Sequence, residues 1–251
     1  PVQAELGTRW AFGDYTISEE HAATAAVETL VASLAGFFDL PDDGRPITVA
    51  CAEGDDHSLP GRMISALLLF EGWRATFLGP TVPADDLETY LGDAQPDAVV
   101  LTCGLVTNLA GARASVRAAH NAAVPVLAGG RGFGADDRLA RAVGADAWST
   151  DPQQIGPILQ SWEPDIAVSE AAAATPSPDF EQISSRRLQI LAGAADRISA
   201  AAGPEVVALL SRRRWDDLSH AFDALTAALT VRDPGVLGGF AGWQRDWMSP
   251  R

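Results

Sequence analysis

The sequence predicts an α/β fold: a five-stranded, parallel, doubly wound sheet of the flavodoxin-like/Rossmann-type kind, with helical segments before and after it. Three observations lead there. Between residues 45 and 162, five short apolar runs alternate with helical patterns, and strands that are each followed by a helix pair in parallel. The runs are continuously apolar, as strands buried on both faces are. The loops at 52–61, 79–82, 104–107 and 129–134 fall beyond the strands' carboxyl ends, where such sheets bind ligands.

The elements follow in order. Thr16-Ile17-Ser18-Glu19 has the form of a capping box, with Thr16 as N-cap and Glu19 at the third helical position. The helix it opens, about 17–37, places Ala23, Ala26, Val27, Leu30, Val31 and Leu34 at helical spacing and stops at the breakers between Pro41 and Pro46. Strands are expected at 47–51, 74–78, 97–103, 124–128 and 146–149, and helices at 63–71, 83–93, 107–122, 135–143 and 152–161. The stretch 163–179 is a linker by composition, rich in Ala, Pro and Ser. Three helical segments are expected beyond it, at 180–201, 204–229 and 233–248. The expected units are therefore a truncated helical cap at 1–40, the α/β domain at 45–162, the linker, and a helical extension at 180–251. Pro1 opens on what reads as the last turns of a helix with no start signal, so an upstream region is expected.

Composition narrows the function. A net charge of −15 disfavours nucleic-acid binding, which needs clustered cations to neutralise phosphate. No run of 18 apolar residues is present, so no membrane span is expected. Cys51 and Cys103 each fall in an expected buried strand and read as small core hydrophobes, which points to a cytoplasmic protein without a disulfide framework.

The residues with chemical potential cluster in two places. The loop after the first strand carries Asp55, Asp56 and His57, and the start of the cap helix carries Glu20 and His21, with Trp10 upstream. No G-x-G-x-x-G and no G-x-x-x-x-G-K-[ST] is present, so the usual phosphate nests are missing. A neutral imidazole is a good ligand for cobalt and similar metals, and a carboxylate on its other nitrogen fixes the tautomer and raises basicity. Either Asp55 or Asp56 fits that role. Singly, Trp10 reads as a core anchor, Glu20 as a carboxylate favoured by the helix dipole, and His57 as a loop histidine. The combination is what sets them apart.

The loop Asp55-Asp56-His57-Ser58-Leu59-Pro60-Gly61 resembles the D-x-H-x-x-G signature of cobalamin-binding domains. In that family the histidine replaces the cofactor's dimethylbenzimidazole as lower axial ligand to cobalt. Thr102-Cys103-Gly104-Leu105 is similar to the family's S-x-L stretch, and Gly129-Gly130 to its Gly-Gly, where small residues let the nucleotide tail approach the backbone. Two positions depart: Pro60 stands at the final Gly position with Gly61 one later, and Thr102 stands in place of Ser. Trp10, Glu20 and His21 ahead of His57 resemble the CarH-like photoreceptors, adenosylcobalamin-dependent light sensors with a helical cap. The resemblance covers about residues 1–162. It implies that Trp10 covers the upper face, Glu20 binds the adenosyl ribose or adenine, and His21 supports that contact.

It also implies an output: a light-dependent change in homo-oligomeric association that regulates an upstream or separate effector domain. Ala11 stands where the DNA-binding members carry a histidine, which closes that route to a second cobalt ligand. The C-terminal extension lies outside that resemblance; a related subgroup, the photocobilins, combines cobalamin with a bilin. Trp215, Trp243 and Trp247 would stack on biliverdin, and Arg212 and Arg213 would pair its propionates. The competing expectation is a corrinoid carrier of a methyltransferase system, using the same lower histidine with an accessible upper face.

Overall fold

The computed structural model describes residues 16–37, 43–162, 178–201 and 213–248. Strands β1 (Pro46–Cys51), β2 (Arg74–Phe77), β3 (Ala98–Thr102), β4 (Val126–Gly129) and β5 (Ala147–Ser149) form one parallel sheet in the order β2-β1-β3-β4-β5. The chain leaves β1 for β2 on one side, then crosses back to β3 on the other. The loops after β1 and β3 therefore diverge, and the crevice between them is the topological switch point of the sheet. Cys51, Thr102, Gly129 and Ser149 lie in register across the carboxyl edge.

The continuous apolar strands divide their side chains between two faces, as the period of two requires. Ala50, Val99, Leu101, Val126 and Ala128 face α3 (Ala84–Ala94), α4 (Leu109–Asn121) and α5 (Arg138–Val143). Ile47, Val49, Val100 and Leu127 face α2 (Ser58–Phe70) and α6 (Ile155–Ser161), with Trp73 and Trp162 closing the edge. Cys51 and Cys103 are fully buried free thiols.

The cap helix α1 (Ile17–Ala35) opens as the capping box requires: Glu19 N–H donates to Thr16 Oγ1 at 3.2 Å, and Thr16 N–H donates to Glu19 Oε2 at 2.8 Å. It packs on α2. Beyond the domain come α7 (Pro178–Ser185), α8 (Arg187–Ala201), α9 (Arg213–Val231) and α10 (Gly235–Met248). No helix of the described residues is long and apolar enough to cross a membrane.

Several boundaries differ from expectation. α2 begins at Ser58 rather than Met63, because Pro60 falls in the first turn, where a missing N–H costs nothing. The helix expected at 107–122 divides into a 3-10 turn, Val106–Asn108, and α4. The first C-terminal helix breaks at Arg186, and the described part of the next begins only at Arg213. Most of the 163–179 linker lies outside the described residues.

The C-terminal helices share the domain's core. Ala227, Ala228 and Val231 of α9 and Val236 of α10 belong to the same buried cluster as Leu101, Leu109 and Val116. Small residues let α9 approach α4 and α5 closely. Arg113 of α4 donates to the Ala142 carbonyl at 3.2 Å and the Thr230 carbonyl at 3.4 Å, bridging the ends of α5 and α9. Arg138 pairs with Asp233.

Candidate functional site

At the end of β1, Ala52 N–H donates to the Thr102 carbonyl at 2.8 Å, and the chain then turns, with Asp55 N–H donating to the Ala52 carbonyl at 2.9 Å. Thr81 N–H donates to the Asp55 carbonyl at 3.1 Å and ties this loop to the one after β2. The turn drives the Asp55 side chain into the switch-point crevice, where it has no exposure. A buried carboxylate needs donors, and three converge here. His57 Nδ1–H donates to Oδ1 at 2.7 Å, His57 N–H donates to the same oxygen at 3.2 Å, and Gly104 N–H from the β3 loop donates to Oδ2.

This arrangement fixes the imidazole. With the proton on Nδ1, Nε2 keeps a free lone pair, and among the described residues it has no hydrogen-bond partner. The side chain is 47% exposed, so the ring is accessible from solvent. The Asp55 hydrogen bond holds the His57 pKa above its ordinary 6.5; burial opposes it, and the charges of Asp55, Asp56 and Glu20 add to it. Asp56 is 84% exposed and 3.4 Å from Nδ1, so Asp55 is the orienting carboxylate. Donor atoms of Asp55, Asp56 and His57 lie within 4.8 Å of one another. Asp55 has both oxygens engaged, however, so the trio does not suit a chelated hard cation. It suits a single metal bound at Nε2.

The loops around the imidazole are shaped for close approach. A Cβ on Gly104 would meet the His57 ring at 3.0–3.1 Å, so any larger residue there would press the ring out of its place by a few tenths of an ångström. Gly130 has φ +106°, and a Cβ on it would strike the Cys103 carbonyl. Gly61 lies buried in the first turn of α2 against Phe77, and Gly129 ends β4. Thr102 is buried, with its hydroxyl 3.5 Å from Cys51 Sγ. These residues suit a metal-bearing cofactor: an oriented imidazole with an unpartnered nitrogen stands beside a glycine-lined ledge at the sheet's ligand-binding edge.

From the cap side, Glu20 lies near enough for its charge to be felt at His57, and Thr24 Oγ1 anchors it by donating to Oε1 at 2.8 Å. His21 is 73% exposed beside Glu20 and is not brought to His57. Ser58 Oγ donates to Glu28 of α1, a contact that sequence reasoning did not anticipate, because nothing local links residues thirty positions apart. Glu53 N–H donating to Ser115 Oγ at 3.1 Å was equally hidden. Trp10 and Arg212 lie outside the described residues. Arg213 and Trp215 fall in α9 and Trp243 and Trp247 in α10, and their side chains lie outside the described residues.

Comparison with known proteins bears on this geometry. Residues 45–155, the stretch that builds the sheet and the His57 loop, match the family model described as B12 binding domain. Residues 45–155 belong to the B12-binding domain family. The chain is also similar to two proteins of Myxococcus xanthus. The HTH-type transcriptional repressor CarH is 32% identical over 103 residues, 41% of this chain and 34% of that protein. The HTH-type transcriptional repressor CarA is 28% identical over 102 residues, with the same shares. The chain thus spans about a third of the length of the curated relatives it matches. Among solved structures, the monomethylamine corrinoid protein of Methanosarcina barkeri aligns with a TM-score of 0.51 at 17% identity, over 64% of this chain and 78% of that one. That likeness is one of fold. The B12-binding domain here thus has its sheet, switch point and His57 loop in the region that the family model covers.

Proposed function

We propose that this chain is a sensory, non-catalytic cobalamin module of the CarH-like kind, with adenosylcobalamin held from below by His57 and covered from above by the cap. The observation that supports this most is the His57 imidazole: its Nδ1 proton is held by a fully buried carboxylate, and its Nε2 has no hydrogen-bond partner among the described residues. Bound adenosylcobalamin would supply a cobalt–carbon bond that visible light cleaves.

The chain's own residues do the rest. Asp55 keeps the proton on Nδ1, so His57 offers a neutral donor at Nε2. Glu20, held by Thr24, offers a carboxylate oxygen to the hydroxyls or amine of an adenosyl group. Trp10 shields that group, and His21 supports Glu20. Ala11 offers no second ligand. The output of this reading is a change in self-association that regulates a linked or separate effector. A biliverdin on the C-terminal helices, paired by Arg212 and Arg213 and stacked on Trp215, Trp243 and Trp247, is its second cofactor. The residue types in that segment are its support.

The second reading is a corrinoid carrier for methyl transfer. The thin seating of α1 favours it, since none of the helix's described residues is buried and a partner enzyme would reach the upper face by displacing it. Light scattering of the adenosylcobalamin-loaded protein separates the two. A change in mass or hydrodynamic radius after green light is expected of the sensor, and identical profiles in dark and light would overturn it in favour of the carrier.

A further inference from the structure

Residues of α1 that turn toward the domain run Glu20, Thr24, Val27, Glu28 and Val31, at helical spacing, and all are half-buried. None of the helix's described residues is buried, so apolar packing alone does not decide its seat. The polar contact with the domain therefore weighs heavily. Ser58 Oγ donates to the Glu28 carboxylate, and Ser58 is the first residue of α2, a helix whose N-cap, His57, gives it no side-chain cap. The first-turn amides of α2 lack intrahelical partners, and a carboxylate placed there is further favoured by the helix dipole. Glu28 thus pins α1 at the start of α2. Glu20 lies eight residues toward the other end, about 12 Å along the axis, and its charge is felt at His57, the residue next to the pin. A shift of the pin carries Glu20 with it.

We propose that Glu28 is a positioning residue: its bond to Ser58 sets the height of α1 above His57 and so selects the upper-face group that a corrinoid held there retains. The proposal rests on the cobalamin reading for its selectivity half and on the structure alone for its pinning half.

Hydrogen–deuterium exchange of the full chain without ligand tests the pin. Glu28→Ala is expected to speed exchange of α1 amides about tenfold, the loss of one charge-assisted hydrogen bond, with β1 and β3 unchanged. Glu28→Gln, which keeps an acceptor for Ser58, is expected to stay near the parent. Unchanged α1 exchange in Glu28→Ala overturns the proposal. Equilibrium dialysis against adenosylcobalamin and hydroxocobalamin tests selectivity. The parent is expected to prefer the adenosyl form, and Glu28→Ala to lose that preference while holding hydroxocobalamin as before. Equal preference in parent and variant overturns the selectivity role. A parent that binds neither cobalamin overturns the cobalamin reading and the selectivity role with it, and the exchange result still decides the pin.

Discussion

Asp55 holds two loops and the His57 ring together through one side chain. A carboxylate without exposure is costly unless its oxygens are filled, and here His57 and Gly104 fill them from two different loops. Asp55→Asn keeps the shape but loses the charge and one acceptor. Cobalamin affinity is expected to fall about 10–100-fold by equilibrium dialysis, as when an orienting partner of a metal ligand is lost, with the far-ultraviolet dichroism unchanged; unaltered affinity would remove Asp55 from the site. The same hydrogen bond sets a pH dependence. The His57 pKa is raised above 6.5, so in the ligand-free protein its stabilising contribution is fully present below pH 6.5 and is lost as pH rises through the raised value. Relative to His57→Gln, the ligand-free parent is expected to lose melting temperature over that window. Cobalt ligation needs the neutral ring, so cobalamin affinity is expected to rise over the same window. The D-x-H spacing made His57 legible in the sequence. Which of two adjacent aspartates orients it was not, because only burial separates Asp55 from Asp56.

At the scale of elements, the strands were legible because runs such as Ala98–Thr102 are apolar on both faces. Helix starts were less so: the helix expected from Met63 begins at Ser58, with Pro60 in its first turn. The place of the C-terminal helices was not legible at all. Ala227 and Ala228 give α9 no strong apolar signature, yet they lie in the main core because small side chains permit close approach. Removing residues 163–251 would uncover the surface beneath Ala227, Ala228, Val231 and Val236 and take the Thr230 carbonyl from Arg113. A loss of roughly 10 °C in melting temperature is expected by calorimetry, from apolar burial worth several kcal/mol. An unchanged melting temperature would make the extension an independent unit.

Over the whole molecule, the strand order makes the site. Because β1 and β3 are neighbours while their outgoing loops diverge, Asp55 from one loop and Gly104 from the other meet under His57, and α1 approaches from above. The alternation of strands and helices showed in the sequence, whereas the pairing between distant loops required the fold. The cobalamin reading depends on His57 Nε2 being the protein's ligand to cobalt. Electron paramagnetic resonance of cobalt(II) cobalamin, bound to protein carrying nitrogen-15 only in histidine, reads that bond directly. The splitting from the axial nitrogen is expected to change from the nitrogen-14 triplet to the nitrogen-15 doublet and to vanish in His57→Ala. A triplet that persists despite the labelling would mean that the cofactor's own base, and not His57, holds the metal.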